Sequence, residues 1–130
     1  MKSFIQAVYN KLDGSTNLSE FKIYAINRPA TEQDYPYIII GIDNDNINMH
    51  IQEPTIIIDI YDRGELADTV LDAVTEVMKL LERQELSTDA EHSFCRFDNS
   101  GMVPEDDRKV WHWTGDFSVR ADKKEYIGGE

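Results

Sequence analysis

One cysteine, Cys95, in 130 residues excludes an intrachain disulfide framework and fits a reducing compartment. No apolar run approaches the ~20 residues that span a bilayer. The N-terminal Met1-Lys2-Ser3-Phe4-Ile5-Gln6 turns polar before the ~7–15-residue apolar core of a signal peptide could form. Together these shortages point to a cytoplasmic chain with no membrane partner. Positive charge is also scarce: 13 Lys and Arg stand against 25 Asp and Glu, a net charge of −12. The deficit is concentrated early, with nine acids and two bases between residues 13 and 62. Tight nucleic-acid binding needs a basic face that releases counterions, so specific binding to nucleic acid is excluded as a function class. Internal repeats, low-complexity tracts and linkers are missing too, which predicts one domain over residues 1–130 with a solvated, flexible tail at 122–130.

What is present is periodic. Phe4, Ile5, Val8 and Leu12 fall near helical spacing behind Ser3 as a cap, and Gly14 suits the left-handed residue after that first helix. Phe21 to Ile26 alternates as a short strand, and Tyr35 to Ile42 reads as a buried one. Thr55 to Asp62 is a third strand, with Ile56, Ile58 and Ile60 on one face and Ile57, Asp59 and Tyr61 on the other. From about Gly64 a helix of roughly 20 residues, about 30 Å long, repeats apolar positions at Leu66, Val70, Val74, Val77, Met78 and Leu81. Ser93 to Phe97 is a short strand, Asp98-Asn99-Ser100-Gly101 a turn, and Met102 to Lys109 a mobile loop too polar to pack. Val110 to Arg120 alternates with Trp111, Trp113, Gly115, Phe117 and Val119 pointing one way and His112, Thr114, Asp116, Ser118 and Arg120 the other. The fold class is α+β: a mostly antiparallel sheet of about five strands, one long helix on one face, and a short N-terminal helix.

No catalytic or cofactor constellation emerges. Asp43-Asn44-Asp45-Asn46 begins like a calcium loop, but Ile47, Asn48 and Pro54 stand where the EF-hand needs an acid or amide, a glycine and a glutamate. His92 and Cys95 lack two further zinc ligands at compatible spacing, and His50 and His112 are remote in sequence. Along the long helix Asp68, Asp72 and Glu76 recur every four residues and, with Glu65, make an acidic stripe. Mutual repulsion costs a few tenths of a kcal/mol per pair. The stripe is a solvated face, or it faces a neighbour or a lumen. No metal and no cofactor are expected.

The order of elements resembles the tail terminator, or tail completion, proteins of long-tailed phages and prophages. The resemblance rests on the N-terminal helix, the Phe21–Ile26 strand and the Tyr35-Pro36-Tyr37-Ile38 start of a buried strand. It extends through the passage from Asp59-Ile60-Tyr61-Asp62 into Glu65–Leu81, and ends at the strand Trp113-Thr114-Gly115-Asp116-Phe117-Ser118-Val119. The resemblance implies a non-enzymatic α+β subunit of a six-membered ring that caps the tail tube, stops its growth and offers a surface to the head connector. Its partners would be copies of itself, the tail tube protein and the head–tail connector protein. It would assemble in the host cytoplasm and then reside in the virion tail.

The least packable segments are the expected contact surfaces: Asp43, Asp45, Asn48 and His50 in one loop, and Met102, Val103, Pro104 and Arg108 in another. Glu65, Asp68, Asp72 and Glu76 would face the lumen or a neighbour, repelling DNA that passes through the ring. Two alternatives stay open: a neck or head-completion protein, and a small acidic metal-dependent enzyme or binding domain using Asp59, Asp62 and the Asp43 loop.

Overall fold

The alternation at the third strand builds the middle of the sheet. The computed structural model describes residues 2–25, 35–43, 55–86 and 91–123. Within them the chain runs α1 (Lys2–Asp13), a 3₁₀ turn (Thr16–Leu18), β1 (Lys22–Ala25), β2 (Tyr37–Asp43), β3 (Thr55–Arg63), α2 (Asp68–Leu81), β4 (Glu91–Val103) and β5 (Val110–Lys123). The five strands form one sheet in the order β1-β2-β3-β5-β4. Only β1 and β2 are parallel; every other pair is antiparallel. The expected α+β class is the observed one.

Residues directly opposite each other in a ladder share a sheet face, so the register sorts the side chains. Ile38 lies opposite Ile60, and Ile60 opposite Trp113; Ile56 lies opposite Phe117, and Phe117 opposite Phe97. Both helices pack on this face. Ile5, Val8 and Leu12 of α1 and Val70, Ala73, Val77 and Leu81 of α2 close a core with Ile38, Ile40, Ile56, Ile58, Ile60, Phe117 and Val119. Burying each such aliphatic side chain contributes about 1.5–3 kcal/mol. The other face, on which neither helix packs, carries a different set: Tyr37, Ile39 and His112 are buried there, and Ile57, Asp59, Tyr61 and Thr114 are half-buried.

Three sequence expectations shift. The long helix is 14 residues, not 20, and begins at Asp68. Strand pairing holds the chain extended as far as Arg63 opposite Val110, the Gly64 N–H then donates to the Lys109 carbonyl (2.8 Å), and the helix opens with the Leu71 N–H bonded to the Ala67 carbonyl (2.9 Å). Leu66 is therefore outside the helix and 69% exposed. Second, β4 runs on from Phe97 to Val103, through the residues expected to turn. A register shift between Phe97 and Asn99 absorbs Asp98 as a bulge, and the Ser118 hydroxyl donates to the Asp98 carboxylate there. Turn chemistry at Asn99-Ser100-Gly101 is overridden by pairing with Asp116, Gly115 and Thr114. Third, Gly14 does not take a left-handed conformation; among the described residues that belongs to Arg83, at φ 58°, just past the end of α2.

Arg83 turns the chain back along β4. Its N–H donates to the Cys95 carbonyl (2.8 Å), and the Cys95 N–H donates to the Gln84 carbonyl (3.0 Å). Glu85 bridges to Phe94, and Glu82 accepts the Phe97 N–H. The outer edge of β4 is thus occupied from Phe94 to Phe97 and is exposed from Asn99 onward, which protects half of an otherwise free edge.

Candidate assembly surface at the hairpin tip

Beyond the bulge, β4 and β5 form a hairpin whose tip is Pro104–Lys109. This tip is not a free loop. Arg63 Nε donates to the Asp107 carboxylate (3.2 Å), whose other oxygen accepts the Lys109 N–H (2.9 Å). Those donors, the Lys109 N–H first, hold the Asp107 carboxyl below its ordinary range. Lys109 Nζ lies 3.3 Å from Glu65, and the Trp111 indole N–H donates to the Gly64 carbonyl (3.1 Å). The segment expected to be mobile is stapled to the end of β3.

Four of the residues expected at an interface meet here. Met102, Val103, Pro104 and Arg108 line a cleft of about 280 Å³ with Glu105, Val110, Trp111 and His112. A second cleft of about 250 Å³ lies beside it, bounded by the exposed part of β4 together with Thr114 and Asp116. Of the other expected contact loop, Asp43 is the last residue of β2, opposite Thr55. Asp45, Asn48 and His50 lie outside the described residues.

His112 is the residue that sequence reading passed over. It is 8% exposed although it sits on the open face. Its Nε2 is 2.7 Å from Asp59 Oδ1 and its Nδ1 is 3.1 Å from Glu105 Oε2. The ring stacks on Tyr61 (centroids 4.0 Å apart, 17° between planes), Tyr61 stacks on Tyr37 (4.6 Å, 14°), and Tyr24 meets Tyr37 edge-on (6.1 Å). Burial alone would lower the His112 pKa; the hydrogen bonds to Asp59 and Glu105 outweigh it, and the net shift is upward from 6.5. The imidazole stands between its carboxylates, so the three groups do not converge on a common point as metal ligands must. No cluster of metal-ligating side chains occurs among the described residues.

The paired-carboxylate reading fails on geometry. Asp59 is opposite Thr114 and Asp62 opposite Trp111, so the two acids, three apart on a strand, point to opposite faces. Cys95 is buried, and burial first, then Glu82 and Asp98, pushes its thiol up to about 12, where it is inert. The side chain of His92 lies outside the described residues.

The acidic stripe divides. Glu65 is paired with Lys109, while Asp68 and Asp72 are exposed. Glu76 is a tether: the Ser15 hydroxyl (2.8 Å) and the Asn17 amide (3.1 Å) both donate to it, joining α2 to the 3₁₀ turn. These bonds, Ser15's first, hold its carboxyl below 4.5. A depressed folded-state pKa contributes stability above pH 4.5 that is lost as pH falls through the lower value. Glu76→Gln is therefore expected to lower the melting temperature near neutrality and to flatten the acid limb of the profile between about pH 5 and 2, so that variant and wild type converge at low pH. An unchanged acid limb in that variant would show that the tether carries no linkage.

No protein-family model and no curated protein matches the chain. Its fold does match solved structures. Over 91% of this chain and 93% of the other, it is similar to a chain of the virion of a native gene transfer agent particle, with a TM-score of 0.72 and 14% identity. The two share an architecture across nearly their whole length.

Proposed function

We propose that this chain is a structural protein of a phage-type virion and, within that class, a tail terminator. Copies form a ring, homo-hexameric by the family resemblance, which closes the tail tube, ends its elongation and offers the surface that the head connector meets. The observation that carries this reading is the match in fold, over nearly the full length of both chains, to a component of a gene transfer agent virion. The chain works by contact and turns over no substrate. It assembles in the host cytoplasm and stays in the tail, with itself, the tail tube protein and the connector as partners.

The exposed part of β4, Asn99–Val103, and the adjoining tip cleft are the contacts this reading uses, since an edge with no outer strand among the described residues, beside an apolar cleft, can take a neighbour's backbone and side chains together. Met102, 44% exposed, is the apolar anchor there. Asp68 and Asp72 remain to face the lumen and repel the phosphates of passing DNA.

The test is to withhold the protein from an otherwise complete assembly and measure tail lengths by negative-stain microscopy. Tails longer than normal support a terminator. Tails of normal length lacking heads would support a neck or head-completion protein instead. In the same assay Met102→Asp is expected to reproduce the withheld phenotype while the isolated variant keeps its circular dichroism spectrum.

A further inference from the structure

A neutral imidazole carries one N–H, yet both nitrogens of His112 face a carboxylate at hydrogen-bonding distance. Only the imidazolium satisfies both. Its flat stack on Tyr61 favours the cation again, because the ring face is the negative end of the aromatic quadrupole. We propose that Asp59, His112 and Glu105 form a proton-operated clasp that holds the hairpin tip Pro104–Lys109 down on the open face of the sheet.

The two bonds are not equivalent. Asp59 is on β3, is 20% exposed at its side chain, and makes the shorter contact; Glu105 is on the tip, is 33% exposed, and makes the longer one. When the proton leaves, the remaining N–H stays on Nε2 toward Asp59, and the Nδ1 lone pair then faces the Glu105 carboxylate. Donor and acceptor have become two acceptors, and Glu105 turns out to water. From β2 and its approach the site is faced by Tyr37 and Tyr35. From β3 it is faced by Asp59, Tyr61 and Arg63, and from the tip by Glu105, Asp107 and Arg108. Burial, then the neighbouring Asp107, raises the Tyr35 pKa, so this phenol stays neutral while His112 titrates. After release the tip keeps the Gly64 N–H bond to the Lys109 carbonyl at its base, and beyond it the exposed Arg63–Asp107 and Lys109–Glu65 pairs, which hold weakly in water. Glu105 is a wall of the cleft that Met102 and Arg108 line, so opening the clasp reshapes that cleft. The inference stands on the geometry of the isolated chain and does not rest on the tail reading.

The experiment is an NMR titration of the ¹⁵N-labelled full chain from pH 5.5 to 9.5. His112 is assigned by comparison with His112→Gln, and backbone order parameters of Glu105–Asp107 are measured at each end. The clasp requires His112 to titrate above 6.5. Across that titration the tip order parameters should fall from about 0.85 to below about 0.6. In Glu105→Ala, a change at the exposed rim that leaves the core intact, the tip is mobile at both ends and His112 titrates lower than in the wild type. Because the folded-state pKa is raised, the clasp's contribution to the melting temperature is complete below pH 6.5 and is lost as pH rises through the folded value. A tip that stays ordered while His112 titrates overturns the proposal, as does a His112 that titrates at or below the value of a free histidine.

Discussion

Replacing Phe117 by alanine is expected to cost about 3–5 kcal/mol, because its ring is fully buried and packs edge-on against Phe97 at 5.6 Å. For a chain of this size the midpoint of thermal unfolding should fall by on the order of 10–20 °C. Phe117 lies opposite Ile56 and Phe97 on the face that carries the core, so the surrounding strands cannot collapse into the space. Ile57→Ala is the matched control: it sits one residue away on the same ladder, on the open face, and is only half-buried. Its cost should be less than half as large. Urea denaturation of both variants checks the comparison, with the slope unchanged and the midpoint moved. Equal costs would mean that both faces of the sheet are core.

The second large effect is expected at Gly115. A Cβ built there would lie 2.2 Å from Cη2 of Trp113 and 2.8 Å from Cζ2 and Cζ3, because the indole folds back along its own strand over the glycine. Trp113 is 5% exposed and belongs to the buried core. Gly115→Ala should therefore destabilise by about 1–3 kcal/mol through overpacking, although alanine is ordinarily neutral or better than glycine in a strand. The cause is separable by a double-mutant cycle. In a Trp113→Leu background the same glycine substitution should cost little, giving a coupling of at least about 1 kcal/mol. Additive costs would assign the glycine's role to the backbone instead.

The sequence carried the sheet's two faces in plain view. The period-two runs at Ile56–Ile60 and Trp111–Val119 put the right residues against the helices, because a strand buried on one face leaves that mark directly. The tip and the clasp were hidden for a physical reason. Asn99, Ser100 and Gly101 have turn chemistry, and only pairing with Asp116, Gly115 and Thr114 keeps them extended. His112, Asp59 and Glu105 share no local pattern. They meet because β5 inserts beside β3 in a register that no single stretch encodes. One signal was legible: His112 and Asp59 each fall on the non-core face of their alternating strands. The start of α2 was misjudged because the apolar Leu66 fits the helical period while the backbone at Gly64 is claimed by Lys109.

The strand order β1-β2-β3-β5-β4 also constrains how the molecule can be made. Synthesis delivers β3 some fifty residues before its partner β5, and during that interval one edge of β3, flanked by Ile56, Ile58 and Ile60, has no ladder to join. The β4–β5 hairpin can close on itself as soon as it emerges, since its strands are neighbours in the chain, and it then docks as a preformed unit. Until Lys123 has left the ribosome the nascent chain is half a sheet with a sticky border. A ribosome stalled anywhere between β3 and β5 would thus release a fragment prone to pair with its own kind.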